Sequence, residues 1–249
     1  MEVAARRLEG RNALVTGAAR RIGRAISLAL AREGASVAVH YSGSERDALK
    51  LVAEIEKLGA RAVALRADLS DQSELEGLLE RAGEALGTIE ILVNNASIFP
   101  SDTLATVDLE GLERNLEINA WAPLVLTRAF AAQSERGHVI NLLDSRVSGF
   151  DHTHAAYILS KHVLSAITRT AALELAPGIA VNGIAPGLIL PPAGKDEEYV
   201  DRLAQTVPLK RRGAPEDIAA AAVFLATSEF VTGETIYVDG GRHLQQLAE

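Results

Sequence analysis

Short apolar runs alternate with longer amphipathic segments along most of the chain. The short runs are rich in Val, Ile and Leu and have few polar positions, which is typical of parallel strands that are covered on both faces. In the longer segments apolar residues return every three or four positions, which predicts helices that pack against such a sheet. The predicted strands span residues 12–16, 36–40, 62–66, 91–94, 138–142, 180–184 and 235–238.

The predicted helices lie between these strands, over residues 22–33, 45–58, 72–86, 109–134, 155–176 and 215–227. This alternation predicts one domain over residues 1–249, with a doubly wound, Rossmann-type α/β fold. Its sheet is expected to be seven-stranded and mainly parallel, with helices on both faces. A nucleotide-binding half of about residues 1–135 is expected to precede a catalytic and substrate-binding half of about residues 136–249.

Several predicted helix ends carry residues that favour termination or capping. Gly34 and Gly59 follow their helices, where a left-handed backbone conformation closes the last turn. Asp71 is predicted to cap the helix after it, with Glu74 as its capping-box partner.

Composition excludes several classes of function. The 249 residues are 48% hydrophobic and carry a formal net charge of −8, which disfavours nucleic acid and anionic membranes as partners. The chain has no cysteine, which excludes disulfides, thiolate metal sites and cysteine nucleophiles. Its longest uncharged apolar run, residues 218–226, is far shorter than the ~20 residues of a membrane helix. We therefore expect a soluble, cytoplasmic protein, and the spacing of the six histidines predicts no metal site.

The turn after the first strand has the residues of a nucleotide-binding loop. It reads Thr-Gly-Ala-Ala-Arg-Arg-Ile-Gly over residues 16–23. Its glycines permit a tight turn, and the helix that follows offers the amides of its N-terminus to a pyrophosphate. The alternative is a purely structural strand-to-helix turn. The residues predicted to contact the cofactor here are Gly17, Arg20, Arg21, Ile22 and Gly23.

The end of the second strand indicates which dinucleotide binds. An NAD site usually places a carboxylate here for the ribose hydroxyls, but the first carboxylate is Glu45. The Arg21 guanidinium together with the Ser44 hydroxyl suits a 2′-phosphate instead, which predicts NADP(H). The alternative is that Arg20 and Arg21 are surface charges. The contacts predicted from this segment are His40, Tyr41, Ser42 and Ser44.

Polar and small residues also follow the third and fourth strands, where ligands bind in open α/β sheets. Asp68 is placed to meet an adenine amino group. Asn119, within a long predicted helix, either bonds the backbone and shapes the site or is a satisfied interior amide. The further cofactor contacts predicted here are Asp68, Leu69, Asn95, Ala96 and Ser97, with Pro186 and Gly187 after the sixth strand.

Tyr157 and Lys161 lie one helical turn apart and share a helix face. The lysine charge favours the phenolate, so we expect it to lower the pKa of Tyr157 from its usual value of about 10. Tyr157 would then act as a general acid. Asp144 lies thirteen residues before the tyrosine, at the end of the fifth strand. The alternative is a solvated helix face that carries a tyrosine and a lysine by chance.

These motifs, with Asn95-Ala96-Ser97 and the sequence Val-Asp-Gly-Gly at residues 238–241, occur in the order of one family over nearly the whole chain. The chain resembles the short-chain dehydrogenase/reductase family. The resemblance implies a seven-stranded sheet, hydride transfer involving a nicotinamide, and catalysis by Tyr157, Lys161 and Asn119, with Lys161 also holding the nicotinamide ribose. It also implies a homotetramer or a dimer.

At two positions the chain departs from the general family pattern and resembles the pteridine reductases instead. Arg21 replaces the middle glycine of the first turn, and Asp144 replaces the catalytic serine. Residues 40–41 and 95–99 share the likeness, which implies that Phe99 stacks on a pterin ring. The alternative for Phe99 is packing in the core.

The carboxyl group of Asp144 changes which substrate makes chemical sense. It suits a nitrogen-rich ring, since it can supply a proton to a C=N bond or pair with an aminopyrimidine edge. Beside Tyr157 in a partly dry cleft, we expect the pKa of Asp144 to rise enough for it to act as an acid. Alternatively, Asp144 is structural and the enzyme reduces carbonyls. Ser145 is not expected to replace the missing serine, because neighbouring side chains in an extended segment point to opposite sides.

The sequence therefore predicts NADPH-dependent reduction of a pteridine, such as dihydrobiopterin, dihydromonapterin or dihydrofolate, to the tetrahydro form. The alternatives are a carbonyl reductase of 3-oxoacyl thioesters or sugars, and an idle NADP(H)-binding sensor. Residues 187–207, rich in Pro, Gly and charge, are predicted to form a lid. His152 and His154 are predicted to lie on the loop surface. The predicted substrate contacts are Ser97, Phe99, Asp144, Tyr157 and Leu188.

Overall fold

The computed structural model describes residues 6–192 and 194–245. Their strands are β1 (Asn12–Val15), β2 (Ser36–Tyr41), β3 (Ala62–Arg66), β4 (Ile91–Asn94), β5 (Gly137–Leu142), β6 (Ile179–Pro186) and β7 (Thr235–Val238). All pair in parallel in one sheet of order β3-β2-β1-β4-β5-β6-β7. The order reverses between β1 and β4, which is where ligands bind in doubly wound sheets.

The helices of the described residues connect these strands. They are α1 (Arg21–Arg32), α2 (Glu45–Lys57), α3 (Gln72–Glu76), α4 (Leu78–Leu86), α5 (Leu109–Leu116), α6 (Ala122–Gln133), α7 (Ala155–Glu174), α8 (Glu197–Ala204), α9 (Pro215–Thr227) and α10 (Arg242–Gln245). A π-helical turn, Glu117–Trp121, joins α5 to α6, and a 3₁₀ turn, Ser145–Ser148, follows β5. Within residues 6–192 and 194–245, no helix is both long and apolar enough to cross a membrane.

Helices cover both faces of the sheet because successive side chains of a strand point to opposite sides. In β1, Ala13 and Val15 pack into one core with α1, α2 and α9, whereas Leu14 packs into a second core with α4, α6 and α7. Burial of these mostly aliphatic cores stabilises the fold by roughly 25 cal/mol per Å² of apolar surface. The predicted α/β fold, with a seven-stranded parallel sheet and helices on both faces, is confirmed.

Three predicted segments differ in detail from the structure. The helix predicted over residues 72–86 is divided at Gly77 into α3 and α4. The helix predicted over residues 109–134 contains the π-helical turn in its middle. The predicted lid, residues 187–207, contains the unpredicted helix α8, which begins after its capping residue Asp196.

The predicted helix ends are correct except for the capping box. Gly34 and Gly59 have φ angles of 98° and 81°, in the left-handed region. Asp71 caps α3, with its Oδ1 accepting from the Glu74 amide at 3.1 Å. The capping-box role of Glu74 is wrong: its carboxylate accepts from the Asp68 amide at 2.7 Å and holds the loop after β3 instead.

Candidate active site

Two adjoining cavities open where the strands end, with volumes of about 480 Å³ and 750 Å³. The first lies beside the turn after β1 and the start of α1. The second lies between the ends of β5 and β6, the helix α7 and the predicted lid. Arg21, Ile22, Asn95 and Ser97 line both cavities, so the two meet at these residues.

Most residues predicted to bind the cofactor line the first cavity. They are Gly17, Arg20, Arg21, Ile22, Gly23, His40, Ser42, Asp68, Leu69, Asn95, Ala96 and Ser97. Lys161, Pro186 and Gly187 line the second cavity, as do the predicted substrate contacts Ser97, Phe99, Asp144, Tyr157 and Leu188. Tyr41 and Ser44 line neither, because Tyr41 packs in the core with α1 and Ser44 directly precedes α2.

The turn after β1 is built so tightly that two of its positions require glycine. Gly17 has a φ of 61°, and a Cβ at Gly23 would lie 2.3 Å from the Gly17 oxygen. The Asn95 amide Nδ2 donates to the Thr16 and Gly17 oxygens at 2.8 and 3.1 Å, which fixes the turn against the end of β4. The first amides of α1 have no acceptor within the helix, so the cavity beside them fits a pyrophosphate.

His40 stabilises this turn through hydrogen bonds and is uncharged. Its Nδ1 accepts from the Gly17 amide at 3.0 Å, so its Nε2 carries the proton and donates to the Ala67 oxygen at 3.1 Å. Burial lowers the pKa of His40 from its ordinary value of 6.5 to about 4, so the ring stays neutral at physiological pH.

The two arginines of the turn have different partners. Arg20 forms an ion pair with Asp47 on α2. Arg21 has a φ of 54°, and its Nη2 donates to the Pro191 oxygen at 2.8 Å. The lid thus brings a backbone carbonyl within reach of the Arg21 guanidinium. That Arg21 and Ser44 together bind a 2′-phosphate stays a prediction.

Asn119 shapes the segment that carries Phe99. It is fully buried in the π-helical turn, a local distortion that often marks functional sites. Its Oδ1 accepts from the Ile98 amide at 2.9 Å, and its Nδ2 lies 3.1 Å from the Ile98 oxygen and 3.0 Å from the Ser160 hydroxyl. Asn119 therefore bonds the backbone of the segment before Phe99, and the same contacts also make it a satisfied interior amide, so both roles that the sequence left open fit the structure.

Asp144 lies at the centre of a largely buried ion-pair cluster, with 14% of its side chain and 13% of the Arg146 side chain exposed. The Nε of Arg146 donates to Oδ1 and its Nη2 donates to Oδ2, both at 2.9 Å. The Tyr157 hydroxyl also donates to Oδ2, at 2.9 Å. Arg146 is in turn paired with Asp151, which accepts from the Nδ1 position of His154 at 2.9 Å.

The expectation that Asp144 is a proton-bearing acid is wrong. Burial raises the pKa of Asp144, but the hydrogen bonds and charge of Arg146 outweigh burial and hold that pKa below its ordinary value. The same cluster raises the pKa of Arg146 despite its burial. Asp144 is therefore a carboxylate, and it accepts hydrogen bonds rather than giving a proton.

The expected effect of Lys161 on Tyr157 is also wrong in this structure. Burial and the negative charge of Asp144 raise the pKa of Tyr157 well above its ordinary value. Lys161 donates to the Leu142 oxygen at 2.7 Å, and its Nζ lies 5.7 Å from the centre of the tyrosine ring. Burial lowers the pKa of Lys161 to about 8, against the opposing influence of Asp144. Tyr157 thus keeps its proton over the neutral pH range.

Phe99 is an exposed wall of the second cavity and not a core residue. Its side chain is 38% exposed. The His154 ring stacks on it with centres 4.0 Å apart, and the Tyr157 ring meets it edge-on at 4.5 Å. The prediction that His154 lies on the loop surface is wrong, since it lines this cavity, whereas His152 is exposed as predicted.

The sequence reasoning missed Arg146, His154 and Arg242, which all line the second cavity. No local sequence signal marked Arg146, because it is the 3₁₀ turn Ser145–Ser148 that brings its guanidinium to Asp144. Ser145 lines neither cavity, and its buried Oγ has no hydrogen-bond partner in the part of the chain that the structure describes. It therefore does not take the place of the missing serine.

Comparisons with known proteins place this chain in one family. Residues 17–243 match the family described as "Enoyl-(Acyl carrier protein) reductase". L-rhamnose 1-dehydrogenase (NAD(P)(+)) from Sphingomonas sp. is 35% identical over 95% of this chain and 98% of its own. The 3-oxoacyl-[acyl-carrier-protein] reductase of Staphylococcus epidermidis is 34% identical over 94% of this chain and 99% of its own.

Among solved structures, an alternative dihydrofolate reductase 1 from Brucella canis, complexed with NADP, superposes with a TM-score of 0.92. It is 34% identical, and the match covers 96% of each chain. These similarities extend over the turn after β1 and over α7 alike, and they confirm the resemblance read from the motifs. This chain belongs to the short-chain dehydrogenase/reductase family of oxidoreductases.

Proposed function

We propose that this protein uses NADPH to reduce a pteridine, converting a dihydropterin such as dihydrobiopterin, dihydromonapterin or dihydrofolate to its tetrahydro form. The observation that carries the proposal is the buried Asp144 carboxylate, kept ionised by Arg146 and bonded to the Tyr157 hydroxyl at 2.9 Å. The NADP complex of the dihydrofolate reductase from Brucella canis supports it.

NADP(H) fits the first cavity, where the turn of Gly17 and Gly23 leaves room beside the start of α1. Arg20 and Arg21 bring positive charge to the mouth of that cavity. Bound NADPH supplies a hydride to carbon. The protein's own residues then have to bind the substrate ring and deliver one proton to the neighbouring nitrogen.

All the hydrogen-bond acceptor positions of the Asp144 carboxylate are occupied in the structure. Each of its oxygens accepts two hydrogen bonds, and a carboxylate has about four such positions. An N–H group on the aminopyrimidine edge of a pterin would take the place of the Tyr157 O–H at Oδ2. The released phenol then donates its proton to the ring nitrogen, and Lys161 stabilises the phenolate that remains.

This arrangement favours a nitrogen-rich ring over a carbonyl. A carbonyl oxygen only accepts hydrogen bonds, and a serine at position 144 would donate one, whereas the Asp144 carboxylate cannot. Phe99 offers an exposed aromatic ring within the same cavity, and aromatic stacking adds about 0.5–1.5 kcal/mol to binding beyond area burial.

Carbonyl reduction is the second candidate, because two similar proteins are a 3-oxoacyl-[acyl-carrier-protein] reductase and an L-rhamnose dehydrogenase. The intact set of Tyr157, Lys161 and Asn119 weighs against an idle nucleotide sensor, since a sensor has no need of a proton donor.

A steady-state assay of NADPH oxidation tests the proposal. We expect turnover with dihydrobiopterin or dihydrofolate and little with an acetoacetyl thioester, and we expect Tyr157→Phe to abolish the pterin reaction. Turnover of the thioester with none of either pterin would replace the proposal by carbonyl reduction. Tight NADPH binding with no turnover of any of them would favour the sensor.

A further inference from the structure

The second cavity carries more positive charge than the proton-delivery residues need. Its basic lining residues are Arg21, Arg146, Lys161, Lys195 and Arg242, and its acidic lining residue is Asp144. This excess occurs in a chain whose formal net charge is −8, so it is a local property of the cavity.

Three of these cations have clear partners. Arg146 is paired with Asp144 and Asp151. Lys161 donates to the Leu142 oxygen and Arg21 donates to the Pro191 oxygen. Their charges and donors are therefore engaged in holding the site together.

Arg242 is different, because its guanidinium has no partner among the residues that the structure describes. It begins α10, it is half-buried, and within residues 6–192 and 194–245 its side chain forms no hydrogen bond or ion pair. Burial lowers its pKa, and the nearby positive charge of Arg146 lowers it further. The charges of Asp144, Asp151 and Asp239 act in the opposite direction without outweighing burial, and none of these carboxylates forms an ion pair with the guanidinium. A half-buried cation without an ion-pair partner is costly, and an incoming anionic group would reduce that cost.

The position of Arg242 indicates that the anionic group it would bind belongs to the substrate and not to the cofactor. Arg242 lines the cavity of Tyr157 and Asp144 and does not line the cavity beside Gly17, where cofactor phosphates would lie. Lys195 adds a second cation at the exposed rim of the same cavity, 5.2 Å from the centre of the Tyr199 ring and without an ion pair among the described residues.

We propose that the substrate of this enzyme carries a carboxylate on its side chain, and that Arg242 binds that carboxylate, with Lys195 assisting at the rim. The inference rests on the proposed pteridine reduction and narrows it. Among dihydropterins it favours dihydrofolate, whose side chain ends in carboxylates, over dihydrobiopterin, whose side chain is neutral. Arg242 is then a residue that determines specificity and takes no part in hydride or proton transfer.

The test compares kcat/KM for dihydrofolate and dihydrobiopterin in the wild type, Arg242→Gln and Arg242→Lys. We expect Arg242→Gln to raise KM for dihydrofolate about tenfold, the effect of losing one charged hydrogen bond, and to leave kcat and both parameters for dihydrobiopterin within about twofold. Arg242→Lys should recover part of the loss. Arg136→Gln is the control, because it removes an equal charge from the exposed loop before β5, far from the cavity. It should leave kcat and KM unchanged for both substrates.

Equal effects of Arg242→Gln on both pterins would overturn the inference, as would a change in oligomeric state, which would assign Arg242 to a subunit contact. If neither pterin is turned over, the proposed function fails, and calorimetric titration of folate into the NADP⁺-loaded enzyme decides the inference separately. Folate binding that weakens about tenfold in Arg242→Gln would uphold it. Absent or unchanged folate binding would overturn it.

Discussion

Arg146 holds both oxygens of the Asp144 carboxylate, with its Nε 2.9 Å from Oδ1 and its Nη2 2.9 Å from Oδ2. This two-point contact is geometrically specific, and it decides the protonation state of the site. Without Arg146, burial beside Tyr157 would push Asp144 toward its protonated form, as the sequence alone suggested. With Arg146, the site keeps a carboxylate that can recognise hydrogen-bond donors.

Removing Arg146 should be among the more destabilising single changes in the site. Arg146→Gln leaves Asp144 buried and unpaired, which costs about 3–5 kcal/mol of unfolding free energy. The double variant with Asp144→Asn should lose less than the single variant, because no buried charge remains. Urea unfolding measures both. Arg66→Gln is the matched control, since its ion pair with Glu74 is exposed and is worth about 1 kcal/mol or less. Equal losses in Arg146→Gln and Arg66→Gln would contradict the role given to the buried pair.

The activity should depend on the charge of Lys161. Its folded pKa is about 8, so the ammonium that stabilises the Tyr157 phenolate is present below pH 8 and is lost as the pH rises through that value. We therefore expect kcat/KM for NADPH-dependent reduction to fall above about pH 8. Asp144→Asn should move this midpoint to lower pH, because the Asp144 charge raises the pKa of Lys161. A profile that stays flat to pH 10, beyond the midpoint expected here, would show that the charge of Lys161 is not needed.

His40 should make the protein less stable in mild acid. Its pKa is about 4 in the folded chain and 6.5 when unperturbed, so the unfolded state binds the extra proton between these values. The neutral His40 ring contributes fully to the free energy of unfolding above pH 6.5. This contribution, about 3 kcal/mol in total, is lost as the pH falls toward 4. Urea unfolding across this range should show the loss in the wild type and in the exposed control His152→Gln. If the free energy of unfolding of His40→Gln falls equally steeply with pH, groups other than His40 cause the loss of stability.

The close packing of the turn after β1 predicts a sharp difference between two glycines. A Cβ at Gly23 would lie 2.3 Å from the Gly17 oxygen, so Gly23→Ala must displace the turn, and we expect NADPH affinity to fall at least about tenfold. A Cβ at Gly43 would meet nothing within 4 Å, which makes Gly43→Ala the matched control, with unchanged affinity. Fluorescence titration of NADPH measures both. Similar NADPH affinities for the two variants would show that the turn is not part of the cofactor site.

The sheet and its helices could be predicted because aliphatic runs and helical periods are local signals. The π-helical turn around Asn119 and the helix α8 could not, since the first has no distinct residue pattern and the second is short and lies among Pro and Gly residues. Most of the predicted site residues line the two cavities, but Arg146, His154 and Arg242 were not predicted, and neither was the charge state of Asp144. The direction of the pKa shift at Asp144 depends on Arg146, and the sequence does not show that the 3₁₀ turn brings that guanidinium onto both carboxylate oxygens.

We propose that the carboxylate at position 144 selects a pteridine over a carbonyl substrate. The most direct test of this proposal is the ratio of kcat/KM for dihydrofolate to that for an acetoacetyl thioester, measured in the wild type and in Asp144→Ser, which restores the hydroxyl of the general family. We predict a ratio well above one in the wild type and a fall of at least about tenfold in Asp144→Ser, because the variant loses an acceptor for ring N–H groups and gains a donor for a carbonyl. A wild-type ratio below one, or a ratio that Asp144→Ser leaves unchanged, would contradict it.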